Sequence, residues 1–172
     1  MRVFLLLLIL LNFIINCAAQ EKACRLESAD APTLFGLRLE MTPTQVKSIF
    51  GKDLKLKIKR EGSFFQNFIE KEPPRFLPGV RALYLRFFDT KLYQIEIFYE
   101  PENKRRTLEE FLSQLSADLN LPPNLWITKY GISELKCADF SLVADNVLNP
   151  RVELTDESIR ARFEAAQKNK NK

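Results

Sequence analysis

Apolar residues along this chain follow three patterns, and each predicts a different element. From Val3 to Ile15 they run almost without interruption, with Arg2 before them and the small residues Cys17, Ala18 and Ala19 after. This run of 13 residues falls short of the roughly 20 that an α-helix needs to cross a bilayer. It reads as a signal peptide over 1–19, cut after Ala19 to leave Gln20 as the N-terminus. Residues 20–33 are small and polar and make a lead-in held by Cys24.

Helical spacing comes next. Thr42 as N-cap, Pro43 at the first helical position and Gln45 closing a capping box open a helix with Val46, Ile49 and Phe50 on its apolar face, and Gly51 is placed to stop it. Thr107 and Glu110 open a second, lined by Leu108, Phe111, Leu112, Leu115 and Leu119 and ended by Pro122-Pro123. A third follows Thr155 or Asp156, with Leu154 and Ile159 at staple positions. Phe64, Phe65, Phe68 and Ile69 also recur at helical spacing, with a short irregular element as the alternative.

Strict alternation is the remaining pattern. Leu54, Leu56 and Ile58 share one strand face opposite three lysines, which read as solvated guards on an edge strand. Leu83, Leu85 and Phe87, then Tyr93, Ile95, Ile97 and Tyr99, form the two arms of a hairpin that turns at Asp89-Thr90-Lys91. Tyr84 and Phe88 on the opposite face suggest a sheet covered on both sides. Strands are expected over Leu125–Tyr130, Glu134–Ala144 and Arg151–Leu154. The fold class is therefore α+β: an antiparallel β-sheet with two to four helices packed on it, in one domain over 34–167, with a disordered basic tail over 168–172. Helix-then-strands occurs twice, which leaves two modules in tandem as an option.

Composition narrows the function. Once Arg2 leaves with the signal, 25 basic side chains face 22 acidic ones, and Lys168, Lys170 and Lys172 carry the excess, so the body is neutral and nucleic acid is not an expected partner. The cut leaves Cys24 and Cys137, and two cysteines in an oxidising compartment suggest one disulfide. The chain has no histidine, which excludes Ser-His-Asp and Cys-His catalysis and His-bearing zinc sites. No glycine-rich phosphate loop or EF-hand spacing occurs either. No catalytic residue, metal ligand or cofactor is expected, and the chain reads as a non-enzyme; carboxylate pairs such as Glu109-Glu110 and Asp156-Glu157 suit helix starts. Phe64, Phe65, Phe68 and Phe76 beside a proline-rich loop, with Trp126, are the candidate binding surface, against core packing as the commoner fate of Phe.

Two resemblances add to this. Ile14-Ile15-Asn16-Cys17 resembles the bacterial lipobox, in which the cysteine is lipidated; Asn16 stands where Gly, Ala or Ser is usual. Cys17 is therefore a candidate lipidation site, and membrane attachment is expected only through it. The stretch from Leu37 to Gly51 resembles the L-x-x-G-M-T-x-x-x-V-x-x-x-x-G signature of SmpA/OmlA-type envelope lipoproteins, and that of exported uncharacterised bacterial proteins. Met41, Thr42, Val46 and Gly51 agree, and Glu40 replaces a glycine. The resemblance implies a helix-and-antiparallel-sheet module, of the kind that secreted β-lactamase inhibitors carry in tandem. It also implies an exported, periplasmic or secreted protein of the bacterial envelope that binds a protein partner, with a lipid-anchored accessory of outer-membrane assembly or a secreted inhibitor as alternatives.

Overall fold

The computed structural model describes residues 24–51, 63–68 and 72–170. The apolar run Val3–Ile15, Cys17 and the alternating segment Leu54–Lys59 lie outside them. Seven antiparallel strands form one sheet: β1 (Ser63–Asn67), β2 (Val80–Phe88), β3 (Lys91–Tyr99), β4 (Ile127–Lys129), β5 (Ile132–Lys136), β6 (Phe140–Asp145) and β7 (Arg151–Asp156), ordered β1-β2-β3-β7-β6-β5-β4. Three helices pack on it: α1 (Pro43–Phe50), α2 (Leu108–Asp118) and α3 (Glu157–Lys170). The fold is α+β. Helix α1 precedes the meander β1-β2-β3, helix α2 precedes the meander β4 to β7, and the final strands of the two meanders pair to make the sheet continuous.

All three helix starts are capped, and the capping box expected at Thr107 is only half formed. The Thr42 hydroxyl accepts from the Gln45 N–H while Gln45 Oε1 accepts from the Thr42 N–H at 2.8 Å. Thr107 caps Glu110, whose carboxylate accepts from the Arg106 N–H. Asp156, rather than Thr155, caps α3 by accepting from the Ile159 N–H at 2.8 Å. Such caps each contribute about 1 kcal/mol by satisfying amides that have no partner inside the helix.

One face of the sheet makes the main core. Leu83, Leu85, Ile95, Ile97, Leu135, Leu142, Ala144, Val152 and Leu154 are fully buried there, together with Val46 and Phe50 of α1 and with Phe111, Leu112 and Leu115 of α2. At roughly 1.5–3 kcal/mol for each large side chain removed from water, this layer supplies most of the drive to fold. Helix α3 belongs to the other face, where its Phe163 stacks on Tyr93 (5.6 Å) and meets the edge of Phe88 (5.7 Å). Covering on both sides is thus real, but only at one end of the sheet.

Several elements differ from the sequence reading. Phe64–Phe68 does not coil: Ser63–Asn67 is a strand, because β2 offers an edge to pair with and hydrogen-bonded pairing outweighs a weak helical spacing. Glu134–Ala144 is two strands broken at Cys137–Asp139, a turn without Gly or Pro that the Cys137 N–H closes on the Phe140 carbonyl at 2.9 Å. Pro123–Leu125 is a short 3-10 turn, so β4 begins at Ile127. A bulge between Arg86 and Phe87 re-aims Tyr93 from the face it would share with Ile95 to the α3 face. Helix α3 continues to Lys170 and takes in Lys168, which the sequence reading gave to the tail.

The lead-in is held at more than one point. Cys24 and Cys137 are bonded, with Cα atoms 4.4 Å apart, and the Ala138 N–H donates to the Leu26 carbonyl at 3.1 Å. The bridge spans 113 residues of sequence, and closing so long a loop in the unfolded chain is worth up to about 4–5 kcal/mol. Replacing both cysteines by Ser should therefore lower the free energy of unfolding by up to about 4–5 kcal/mol in a denaturant titration, and the denatured, unreduced parent should show no free thiol from this pair. A second outcome concerns alkali. Burial pushes the Tyr99 hydroxyl up to about 12 from 10, and the Asp118 charge adds to it. The protein keeps this contribution in full below pH 10 and loses it as pH rises toward 12, about 2–3 kcal/mol in all. Tyr99→Phe should remove that part of the slope from a stability–pH curve.

Candidate binding face

Alternation puts mostly polar side chains on the sheet face opposite the main core, with Phe98, Ile132 and Val143 among them. Tyr84 and Arg86 of β2, Gln94 and Glu96 of β3, Glu153 and Thr155 of β7, Ser141 and Asp145 of β6 and Glu134 of β5 all lie there by register. At the centre Glu96 sits directly opposite Glu153 across the β3–β7 pair, an arrangement that costs stability unless a cation intervenes. Arg151 supplies it. Its Nη1 is 2.8 Å from Glu96 Oε1 and 3.8 Å from Glu153 Oε2, and its Nε is 2.8 Å from Asp145 Oδ2.

The cluster is only partly open to water: the side chains of Arg151, Glu153, Asp145 and Glu96 are 26%, 19%, 17% and 13% exposed. Burial works against the Arg151 charge, but the hydrogen bonds to Glu96 and Asp145 and their charges outweigh it and raise its pKa. Glu153 Oε1 also accepts from Gln94 Nε2 at 2.5 Å and from the Thr155 hydroxyl at 3.3 Å. Ser141 donates to Glu157 of α3, which in turn pairs with Arg160. The Arg151 cluster therefore joins β3, β7 and β6, and a second polar group joins β6 to the covering helix.

A second cationic group lies beside it. Arg86 stands 4.9 Å from the centre of the Tyr84 ring; burial lowers its pKa, and hydrogen bonds with Tyr84 and Tyr93 more than restore it. Toward the loop end of the same face, Asn67, Arg81, Ala82, Phe98 and Asn149 line a shallow cleft of about 230 Å³. Among the described residues no group of three or more acidic or Cys side chains converges as a metal site would require. The three carboxylates about Arg151 are fixed in charge-assisted bonds, which suits recognition by fixed geometry better than proton transfer.

The expected aromatic surface is placed elsewhere. Phe68 is 5% exposed and belongs to the main core, while Phe64 and Phe76 are half-buried against it and Phe76 meets Phe50 at 5.5 Å. Trp126 packs on the core and donates from its indole N–H to the Ser116 hydroxyl at 2.8 Å. The side chain of Phe65 lies outside the described residues, as does Cys17. Burial wins because a strand paired to β2 must put alternate side chains on the core face. The exposed apolar groups are instead Ile127, Tyr130, Ile132, Val147 and Leu148, four of them in or next to turns, where apolar residues have no periodicity to mark them.

No family model matches the chain, and neither a curated protein nor a solved structure does. The charge lattice makes a direct prediction. Arg151→Met removes the one cation from between three partly buried carboxylates and should destabilise the fold by about 2–4 kcal/mol at pH 7. Thermal unfolding of both proteins at pH 7 would display the difference.

Proposed function

We propose that this chain is an exported, non-catalytic binding protein of the bacterial cell envelope that engages a protein partner through the polar face of its sheet. The observation that carries the reading is that face. Its charged groups are rigidly tied to one another around Arg151, on strands rather than loops, and the main core lies on the opposite side. Preorganised polar groups on a stiff element lose little freedom when a partner docks, which favours specific recognition.

Three further points support it. The bonded pair Cys24–Cys137 suits an oxidising compartment. The apolar run Val3–Ile15 with Ala19 behind it has the form of a cleaved export signal. The backbone at Glu40 has φ 64, the left-handed conformation that suits the glycine of the envelope-protein signature; here the Glu40 carboxylate pairs with Lys91 at 3.0 Å. Two neighbouring readings share this basis: a lipid-anchored accessory of outer-membrane assembly, attached through Cys17, and a secreted protein inhibitor.

Site-specific photo-crosslinking in native envelopes tests the reading. A p-benzoylphenylalanine in place of Glu134, on the polar face, should give a defined adduct, and one in place of Ser113, exposed on α2, should not. Adducts at neither position, or equally at both, would remove the face from consideration. Intact mass of the native protein separates the soluble reading, a lipid-free chain beginning at Gln20, from the anchored one.

A further inference from the structure

One end of the sheet carries a feature that folding does not require. The β4–β5 hairpin turns at Tyr130-Gly131, and the β6–β7 connection turns at Val147-Leu148-Asn149. Pairing of Ile132 with Asp145 brings the two turns side by side, so that a side chain on Gly131 would lie 3.3 Å from Val147. Tyr130 is fully solvent-exposed, Leu148 is 83% exposed and Val147 58%. Tyr130 also holds a left-handed backbone, φ 54, where Asn, Asp or Gly would be less strained. A bulky aromatic there gains nothing from the fold.

Basic side chains are fastened beside these tips. The segment Lys104-Arg105-Arg106, exposed throughout, is clamped to the β6–β7 turn by Asn146: its amide donates to the carbonyls of Arg105 (2.9 Å) and Thr107 (3.3 Å), and its oxygen accepts from the Arg105 N–H. Lys104 Nζ donates to the Val147 carbonyl at 2.5 Å. Lys129 stands next to Tyr130 on the hairpin. Of the acids closest in sequence or register, Asp145 is paired with Arg151 and Glu110 is turned to the Arg106 N–H; Glu100, Glu102 and Glu109 flank the basic segment, and Asp118 shares a cleft with Arg105.

We infer that this end of the sheet is a docking surface for an anionic lipid bilayer, used without any lipid on Cys17. The two protruding tips carry an aromatic residue with a polar rim and aliphatic side chains, which suit the interface between headgroups and acyl chains. The four basic residues around them match the negative surface of the bilayer, each contributing several-fold in affinity at ordinary salt. Convex tips on separate turns penetrate a deformable surface readily, whereas a protein partner would need two matching pockets.

Intrinsic fluorescence reads this directly. Tyr130→Trp places a reporter at the tip, and Thr90→Trp places one in the exposed turn at the opposite end of the sheet; the parent with Trp126 is the baseline. With brominated phosphatidylglycerol vesicles, the reporter at 130 should be quenched and blue-shifted and that at 90 should not. Phosphatidylcholine vesicles should leave both unchanged. Leu148→Asp, and separately Lys104→Gln with Arg105→Gln and Arg106→Gln, should each weaken the response on the order of 10- to 100-fold, while Arg162→Gln with Lys168→Gln should not. These positions are exposed, so unchanged thermal unfolding confirms that the variants fold. Silence of both reporters, equal response of both, or indifference to the Leu148 and Lys104–Arg106 substitutions would overturn the proposal. So would a Leu148→Asp variant that loses self-association or a protein partner with no change toward vesicles, because the tips would then be a protein interface. Because the tips and the Arg151 face are separate surfaces, failure here leaves the crosslinking result at Glu134 untouched.

Discussion

The pairing of β3 with β7 is the constraint on which the rest of the structure depends. It joins the two meanders into one sheet, and its two sides have opposite requirements. On the core side Ile95 meets Leu154 and Ile97 meets Val152, an apolar seam continuous with the layers under α1 and α2. On the other side the same register sets Glu96 against Glu153. A one-residue slip would bring the carboxylates into the core and the aliphatic groups to the surface. The register is therefore fixed by hydrophobic burial, and the electrostatic cost on the far side is met by Arg151, itself part of β7. One strand thus supplies both the buried Val152 and Leu154 and the cation that makes their alignment tolerable.

That division of labour shapes the polar face. The charged groups there exist in their present arrangement because the core demands the register, yet once aligned they form a rigid array. Helix α3 adds a polar contact of its own, since Glu157 receives a hydrogen bond from Ser141 at the point where β7 becomes helix. Midway along the helix, Phe163 lies over Tyr93 and Phe88. The helix closes one end of the face and leaves the other to loops.

Legibility from sequence followed the locality of each interaction. The capping box at Thr42, the N-cap at Thr107 and the hairpin through Asp89-Thr90 are made by residues a few positions apart, and they stand where their spacing placed them. The Cys24–Cys137 pair was readable by counting. What depends on distant partners was not: the Phe64 segment is a strand because β2 lies beside it, and Tyr93 changes face because of a bulge. The Cys137–Asp139 turn has no glycine or proline to announce it. The same holds for the candidate sites. Arg151, Glu96 and Asp145 are unremarkable in sequence and become a cluster only through register, and Tyr130 with Leu148 meets Lys104–Arg106 only because Asn146 clamps two loops. Phe64, Phe68 and Phe76, conspicuous by composition, are drawn against the core.

The disulfide has a mechanical consequence. It fastens the N-terminal side of the chain to the β5–β6 turn, and α3 departs from the end of β7, where Asp156 pairs with Phe140. Cys24 and the start of α3 are thus attached at the same end of neighbouring strands. Tension applied between them would not load the β6–β7 hydrogen bonds together, as shear does; it would open them one after another from the Phe140–Asp156 pair. Strands loaded in this way resist pulling less than strands loaded in shear.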